Sequence, residues 1–549
     1  MLLASAGSIL AIHRSDGIPK SMRIQAIYLS LAATAIALLY TVSLGHAPIY
    51  LSHDEVFFGI HAGAIAATGR DLNGNVFPLY FHILDRYGSA GPASPVYWAQ
   101  PIHIYSQALF VRIFSLSEAV IRFPTALVGL INIILMYFVG RTLFESKRLG
   151  LIAAGLLALT PAHFFHSRLA ADPLFPLAFV LAWLLCLITY DRQNRPWQLF
   201  LATLFLGVGL YAYVGALFMM PIYLLCTGGL LLARRDPPKR FALAAIGFVV
   251  CLLPLVAWLL SHPNAYVDQA HRYRLYDPER VGFLRGLLGL FGYTSLTERS
   301  SIYWNAFNAS MLFFSGDSSL LNATRKAGVF LLPIAIFLPV GINHIINHQP
   351  TRGNLIVLFG LATAPLGAVV AGELFLPREL LIVPFAILIA TLGVNWFLSA
   401  RRRIWQTAGV ALLVLVPMQF AYFAYDYFTA YRIRSSTWFE GNLRGALEEV
   451  IAGEGSTPGR MTYLSEDIPW IDTYWRFYLM KHGRTQLLAN TVHFQAARFN
   501  VQSVPRGALI VDKSGESALE TLAQSGELHQ RSVVAEPNQT PSFVIYERR

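Results

Sequence analysis

The sequence predicts an α-helical polytopic membrane protein of about eleven transmembrane helices, followed by a soluble α/β domain. Three observations carry this. Hydrophobic residues make up 55% of the 549 positions and charged residues only 13%, with a mean hydropathy of +0.50. Apolar runs of roughly spanning length recur from residue 24 to residue 425, separated by short basic clusters. Beyond that point the pattern changes to short β-rich runs alternating with helical periodicity.

The apolar runs fall at 24–44, 119–139, 149–163, 173–190, 197–213, 214–232, 241–260, 328–346, 355–372, 380–397 and 404–425. Several are short for a membrane, so tilted or broken helices are expected. Arg14, Lys20 and Arg23 precede a first run longer than a signal-peptide core, which reads as an uncleaved signal anchor. The three cysteines, Cys186, Cys226 and Cys251, lie inside apolar runs and form neither a disulfide framework nor a CxxC motif.

The formal net charge of +11 would suggest nucleic acid in a soluble chain. Here the basic residues instead occupy alternate connections: the N-terminus, Arg141/Lys147/Arg148, Arg192/Arg195, Arg234/Arg235/Lys239/Arg240, Arg352 and Arg401/Arg402/Arg403. The positive-inside rule puts all of these in the cytoplasm and no nucleic-acid partner is implied. An odd helix count then places the active face and the tail outside. The expected division is a membrane module at 1–425, with outer loops 45–118 and 261–326, and an extracytoplasmic soluble domain at 426–549. The tail contains no GxGxxG, P-loop or GxSxG.

The unusual chemistry gathers on the outer side. Asp54 and Glu55, in the stretch 51–83, sit about ten residues beyond the first apolar run, at or just above the membrane surface. Their ordinary role is to start a helix, where the dipole favours acids; the sharper one is a catalytic base beside an apolar wall. Asp172 precedes Pro173, a pattern for an N-cap, and Arg168 is placed to pair with it locally. His163 and His166 are spaced for one helical face. Arg378, Arg325 and Lys326 are outer-side cations suited to phosphate or to headgroups. Asp317, in a Gly-Asp-Ser-Ser run, reads as a turn cap. Tyr97, Trp98, Tyr105, Tyr303 and Trp304 suit an interfacial belt or stacking on a sugar.

Five stretches together resemble a known family: DE at Asp54-Glu55 with TGRDLNGNVFPLYF, SPVYWAQPIHIYSQALFVRIFSLSEAVIRFPTALVG, HSRLAADPLFP, FFSGD with RKAGVFLLP, and PRELLIVPF. They are similar to the GT-C-fold glycosyltransferases that use polyprenyl-phosphate sugars, specifically the bacterial relatives of protein O-mannosyltransferase and of the lipid A aminoarabinose transferase (family 39-like). The resemblance covers about the first 390 residues. It implies Asp54 as the catalytic residue with Glu55 beside it, Asp172 as the second acid, and Arg378 and Arg168 as phosphate contacts; the residues themselves add Lys326, Arg325 and His166 as candidate donor or phosphate contacts. Tyr97 and Trp98 match the family's aromatic pair. Aminoarabinose transferases carry Lys-Pro-Pro before that pair; this chain has GPASPVYW, which leaves the sugar and the acceptor open.

The implied partners are a polyprenyl-phosphate-linked sugar, a lipid, glycan or protein acceptor, and the membrane itself. The implied location is the bacterial cytoplasmic membrane. No cofactor is assigned; some members are associated with divalent cations, and the acids here form no recognisable metal motif. The expected reaction is inverting transfer with Asp54 as base. Two other readings are a lipid or glycan transporter and a noncatalytic binder of lipid-linked glycan. Charges gathered at one outer face, rather than at the midplane with inverted repeats, count against transport.

Overall fold

The computed structural model describes residues 20–84, 95–272, 282–290, 292–454, 459–515 and 518–549. Arg14 and the Gly-Pro-Ala-Ser run at 91–94 lie outside them. In chain order the outer-loop and early helices are α1 (Lys20–Thr41), α2 (His53–Thr68), strands β1 (Phe81–Leu84) and β2 (Pro95–Ala99), α3 (Pro101–Phe114), α4 (Glu118–Phe144), α5 (Lys147–Ala158) and α6 (Pro161–His166). Then come α7 (Phe175–Gln193), α8 (Pro196–Gly209), α9 (Ala216–Arg234), α10 (Pro238–Ser261), α11 (Ala265–Arg272), α12 (Phe283–Leu290) and α13 (Tyr293–Asn305). The module closes with α14 (Ile334–Asn347), α15 (Arg352–Thr363), α16 (Leu366–Ala371), α17 (Leu376–Glu379), α18 (Ile382–Leu398) and α19 (Arg403–Phe428).

Every expected apolar run coincides with a helix, yet among the described residues only 7 spans are long and apolar enough to cross a membrane. α8, α14 and α18 are shorter apolar helices, and α5 is a 12-residue helix. The run expected at 149–163 breaks because Pro161 cannot continue α5 and instead starts α6 as its first helical residue. The run at 355–372 divides in the same way, with Pro365 as N-cap of α16. α14 and α18 pack through Gly341 and Gly393, where an added Cβ would collide with the facing backbone at Ile389 and Phe337. Small residues at such a crossing let apolar helices approach closely.

After α20 (Ala430–Arg434), the C-terminal region builds α21 (Leu443–Glu454), β3 (Thr462–Ser465), α22 (Ile471–Lys481), β4 (Thr491–Phe494), β5 (Leu509–Lys513), α23 (Ala518–Gln524), β6 (Leu528–Ala535) and β7 (Pro541–Arg548). The sheet order is β4-β3-β5-β7-β6. β3 runs parallel to β4 and β5, while β7 is antiparallel to β5 and β6. The expected α/β domain is therefore present.

Its core is shared with the first outer loop. Leu51, Val56, Phe57, Ile60, Phe81 and Ile104 from the loop and α4-proximal elements form one apolar cluster with Leu447, Trp475, Phe477, Leu479 and Val511. Polar contacts seal the join: Tyr474 donates to the Leu51 carbonyl at 2.8 Å and Tyr50 to Glu536 at 3.0 Å. Lys481 meets Glu118 at 2.8 Å. The loop and the domain thus fold as one body on top of the helices, with α19 running past the expected boundary to Phe428.

Candidate active site

A cavity of about 840 Å³ lies where several connections between the helices converge. Its lining includes Asp54, Tyr97, His166, Asp172 and Arg378, together with Arg272, Glu298, Arg299 and Glu373. Residues far apart in the chain are thus brought to one chamber. The connections at 45–118, 163–172, 213–214, 261–326 and 372–379 all contribute.

The two adjacent acids are separated by helix geometry. Ser52 caps α2 and forms a reciprocal capping box with Glu55. That turns Glu55 inward, where it is wholly buried against Arg122, at 2.7 Å from Nε and 2.9 Å from an Nη. The Ala170 amide donates to the same carboxylate at 2.8 Å and the Ser52 amide at 2.9 Å. Arg122 spends its remaining donors on the carbonyls of Leu44, Pro48 and Tyr50. Both Glu55 oxygens are occupied, and the residue does not line the cavity. Asp54, one residue earlier, points into the cavity with its side chain 48% exposed and His53 Nε2 at 3.5 Å.

Asp172 opens a 3₁₀ turn and lines the cavity, close enough to feel the Asp54 charge. The expected Arg168 partner is elsewhere. Its guanidinium is buried among Phe164, Tyr427 and Phe428 and donates to the carbonyls of Leu39, Tyr40, Val42 and Ala47. It satisfies the orphan carbonyls at the C-terminal end of α1, a structural cap rather than a phosphate ligand. Gly129 on α4 makes room for this segment, since a Cβ there would strike Ser167.

Of the expected cations, Arg378 is in the cavity, resting on the outlying Glu373 carboxylate at 3.1 Å. Arg325 and Lys326 are exposed and are not among the lining residues. His166 is in place, and burial pushes its imidazole down to about 3, opposed by the hydrogen bond it donates to the Asn322 backbone. It offers a lone pair at Nε2, which has no protein partner. Two cations absent from the sequence expectation are present, Arg272 over the Tyr97 ring at 5.6 Å and Arg299 at the end of α16, where it donates to the Val369 and Val370 carbonyls. Their only signal was position, in the loop at 261–326.

The aromatic pair divides as neighbouring strand residues must. Tyr97 faces the cavity, whereas Trp98 is stacked on His82 at 4.3 Å, packed against Trp258 at 4.9 Å, and donates to Asp268 at 2.9 Å. Asp317 is a cap as expected, accepting from the amides of Ser319 at 2.8 Å and Leu376 at 3.0 Å. Among the described residues no group of three or more His, Cys, Asp or Glu side chains is set to hold a metal ion.

Residues 95–258 match the family model for dolichyl-phosphate-mannose-protein mannosyltransferase. No curated protein matches the chain. Among solved structures, ArnT from Cupriavidus metallidurans in the apo state is similar with a TM-score of 0.56 and 15% identity, covering 95% of this chain and 98% of that one. The same protein bound to undecaprenyl phosphate gives a TM-score of 0.52 and 15% identity over 94% and 97% of the two chains. The expected GT-C architecture is thereby borne out: over nearly its whole described length, this chain has the fold of the ArnT structures.

Proposed function

We propose that the chain is a membrane glycosyltransferase that moves a sugar from a polyprenyl monophosphate to an acceptor at the outer face of the cytoplasmic membrane. The observation that carries this is the meeting of Asp54 and Asp172 with Tyr97, Arg272, Arg299 and Arg378 in one chamber. A sugar on a polyprenyl phosphate already has its leaving group, so the protein must supply alignment, a proton acceptor and charge for the departing phosphate.

Asp54 suits the base. It is the acid at this helix start left free of backbone capping, because Glu55 does that work. The acceptor nucleophile attacks the anomeric carbon, its proton passes to Asp54, and the bond from that carbon to the phosphate oxygen breaks. The configuration inverts. Asp172 orients the acceptor or the sugar, and Tyr97 offers a ring face to the sugar. Arg378 receives the phosphate by exchanging one anion for another: Glu373 is 66% exposed, so its pairing is weak and readily replaced. Arg299 and Arg272 add positive charge to the same cavity.

The test reconstitutes the chain in liposomes with undecaprenyl-phosphate mannose, glucose or arabinose and an envelope extract as acceptor source, and measures released undecaprenyl phosphate. Release by the wild type that is lost in Asp54→Asn supports the proposal. Equal release by both refutes the assignment of Asp54, and tight binding of all three donors without release favours a noncatalytic binder.

A further inference from the structure

The C-terminal domain touches His53, one of the residues that line the cavity. Its helix α22 lies along α2 at Gly59 and Gly63, where an added Cβ would come within 2.9 Å of Phe477 and 2.6 Å of Met480. Trp470, just ahead of α22, is held at φ 57° and ψ 22°. Side chains other than glycine and asparagine rarely adopt that region, and bulky residues retained there mark places where the surrounding structure needs them. The indole ring stacks nearly parallel to the His53 imidazole and offset from it, with centroids 5.7 Å apart and planes at 19°. It also meets Phe57 edge-on at 5.3 Å. Glu440, also beyond the last long helix, lies within electrostatic reach of His53. His53 in turn places Nε2 at 3.5 Å from the Asp54 carboxylate.

We propose that Trp470 is a positioning residue supplied by the C-terminal domain: its ring fixes the His53 imidazole beside Asp54, and so sets where the carboxylate stands in the cavity. This rests on the transferase reading above. A half-exposed carboxylate at a helix start otherwise samples several rotamers, and a base must stand within hydrogen-bond reach of the proton it takes. Offset parallel stacking restrains the imidazole plane, and the imidazole restrains the acid. Docking of the domain on α2 is then also the step that assembles the site.

The test uses full-length Trp470→Ala, Trp470→Phe, His53→Ala and the double variant in liposomes, with the same three undecaprenyl-phosphate sugars. The expected result is a fall of about tenfold in kcat for Trp470→Ala with donor KM unchanged. Trp470→Phe recovers most of that loss, and the double variant falls no further than either single one, because both break one contact. Wild-type kcat in Trp470→Ala, or multiplicative losses in the double variant, overturns the proposal. A second readout needs no turnover: diethyl pyrocarbonate labelling of His53, read by mass spectrometry, rises severalfold in Trp470→Ala. Unchanged labelling overturns the contact. Absence of undecaprenyl phosphate release by the wild type sinks the transferase reading by itself, leaving the labelling to decide whether Trp470 holds His53.

Discussion

Glu55→Gln and Asp54→Asn are expected to fail in opposite ways, although the two residues are neighbours and the substitutions are chemically alike. The Glu55 carboxylate and the Arg122 guanidinium are both completely buried and joined by two hydrogen bonds, at 2.7 and 2.9 Å. Replacing Glu55 by the amide leaves the guanidinium charge uncompensated in the interior, a loss of about 3–5 kcal/mol. Two backbone amides, from Ser52 and Ala170, also lose a charged acceptor. Because the loop and the C-terminal domain share one core, that loss loosens the whole body over the cavity and lowers its melting temperature by roughly 5–10 °C. Asp54 is half-exposed at the cavity and, among the described residues, pairs with His53, so Asp54→Asn costs at most about 0.5 kcal/mol of stability. Its penalty appears in kcat, at about 10²–10⁴-fold. Intrinsic-fluorescence melts in detergent, beside the liposome transfer assay, read both quantities on the same preparations. A stable but inactive Glu55→Gln, together with an active Asp54→Asn, would show that the roles of the two acids are reversed.

The other expected outcomes concern the cations and one buried acid. Arg378→Ala weakens binding of undecaprenyl phosphate by about tenfold or more, the loss of one charge-assisted contact, while Lys326→Ala leaves it unchanged; native mass spectrometry measures both. Arg168→Met lowers the melting temperature, by on the order of 3 kcal/mol in stability, without changing that affinity, since its partners are the carbonyls of Leu39, Tyr40, Val42 and Ala47. Burial, with Asp317 beside it, pushes the Glu379 carboxyl from 4.5 up to about 8. Below pH 4.5 the group is neutral in both states; as pH rises from there to about 8 the unfolded chain ionises first, so the folded state loses stability across that window. Glu379→Gln should therefore match the wild type at acid pH and exceed it by a few kcal/mol near pH 9, as read from melts at several pH values.

The helices, the sheet domain and much of the chamber were legible because each rests on a local rule. Apolar length placed a helix at every run, and alternate basic clusters put the outer connections on one side, where the structure brings Asp54, Tyr97, Asp172 and Arg378 together. The separation of Tyr97 from Trp98 was also available, since adjacent strand residues face opposite ways. Partner choice was not. Arg168 stands near Asp172 in sequence but spends itself on carbonyls more than a hundred residues earlier. Arg122 lies inside a run that reads simply as a membrane helix, and nothing local says that it returns to Glu55. Arg272 and Arg299 sit in a loop whose charges have no periodicity to distinguish wall from surface.

What decides between the two acids is how this helix start is built. A first turn offers unsatisfied amides and a positive dipole end, and one acid must meet them. Glu55, three residues from Ser52 and long enough to reach back, closes the capping box and at the same time reaches Arg122. That leaves its shorter neighbour released from backbone duty and aimed into the cavity. The same turn carries His53 to the face on which the C-terminal domain lays Trp470. A buried ion pair fixes the turn from below and an aromatic stack holds it from above, so the exposed carboxylate between them is placed by groups that need not touch a substrate. An acid that must accept a proton has reason to be supported in this way, because each of its neighbours can be rigid while it stays open to the reacting group.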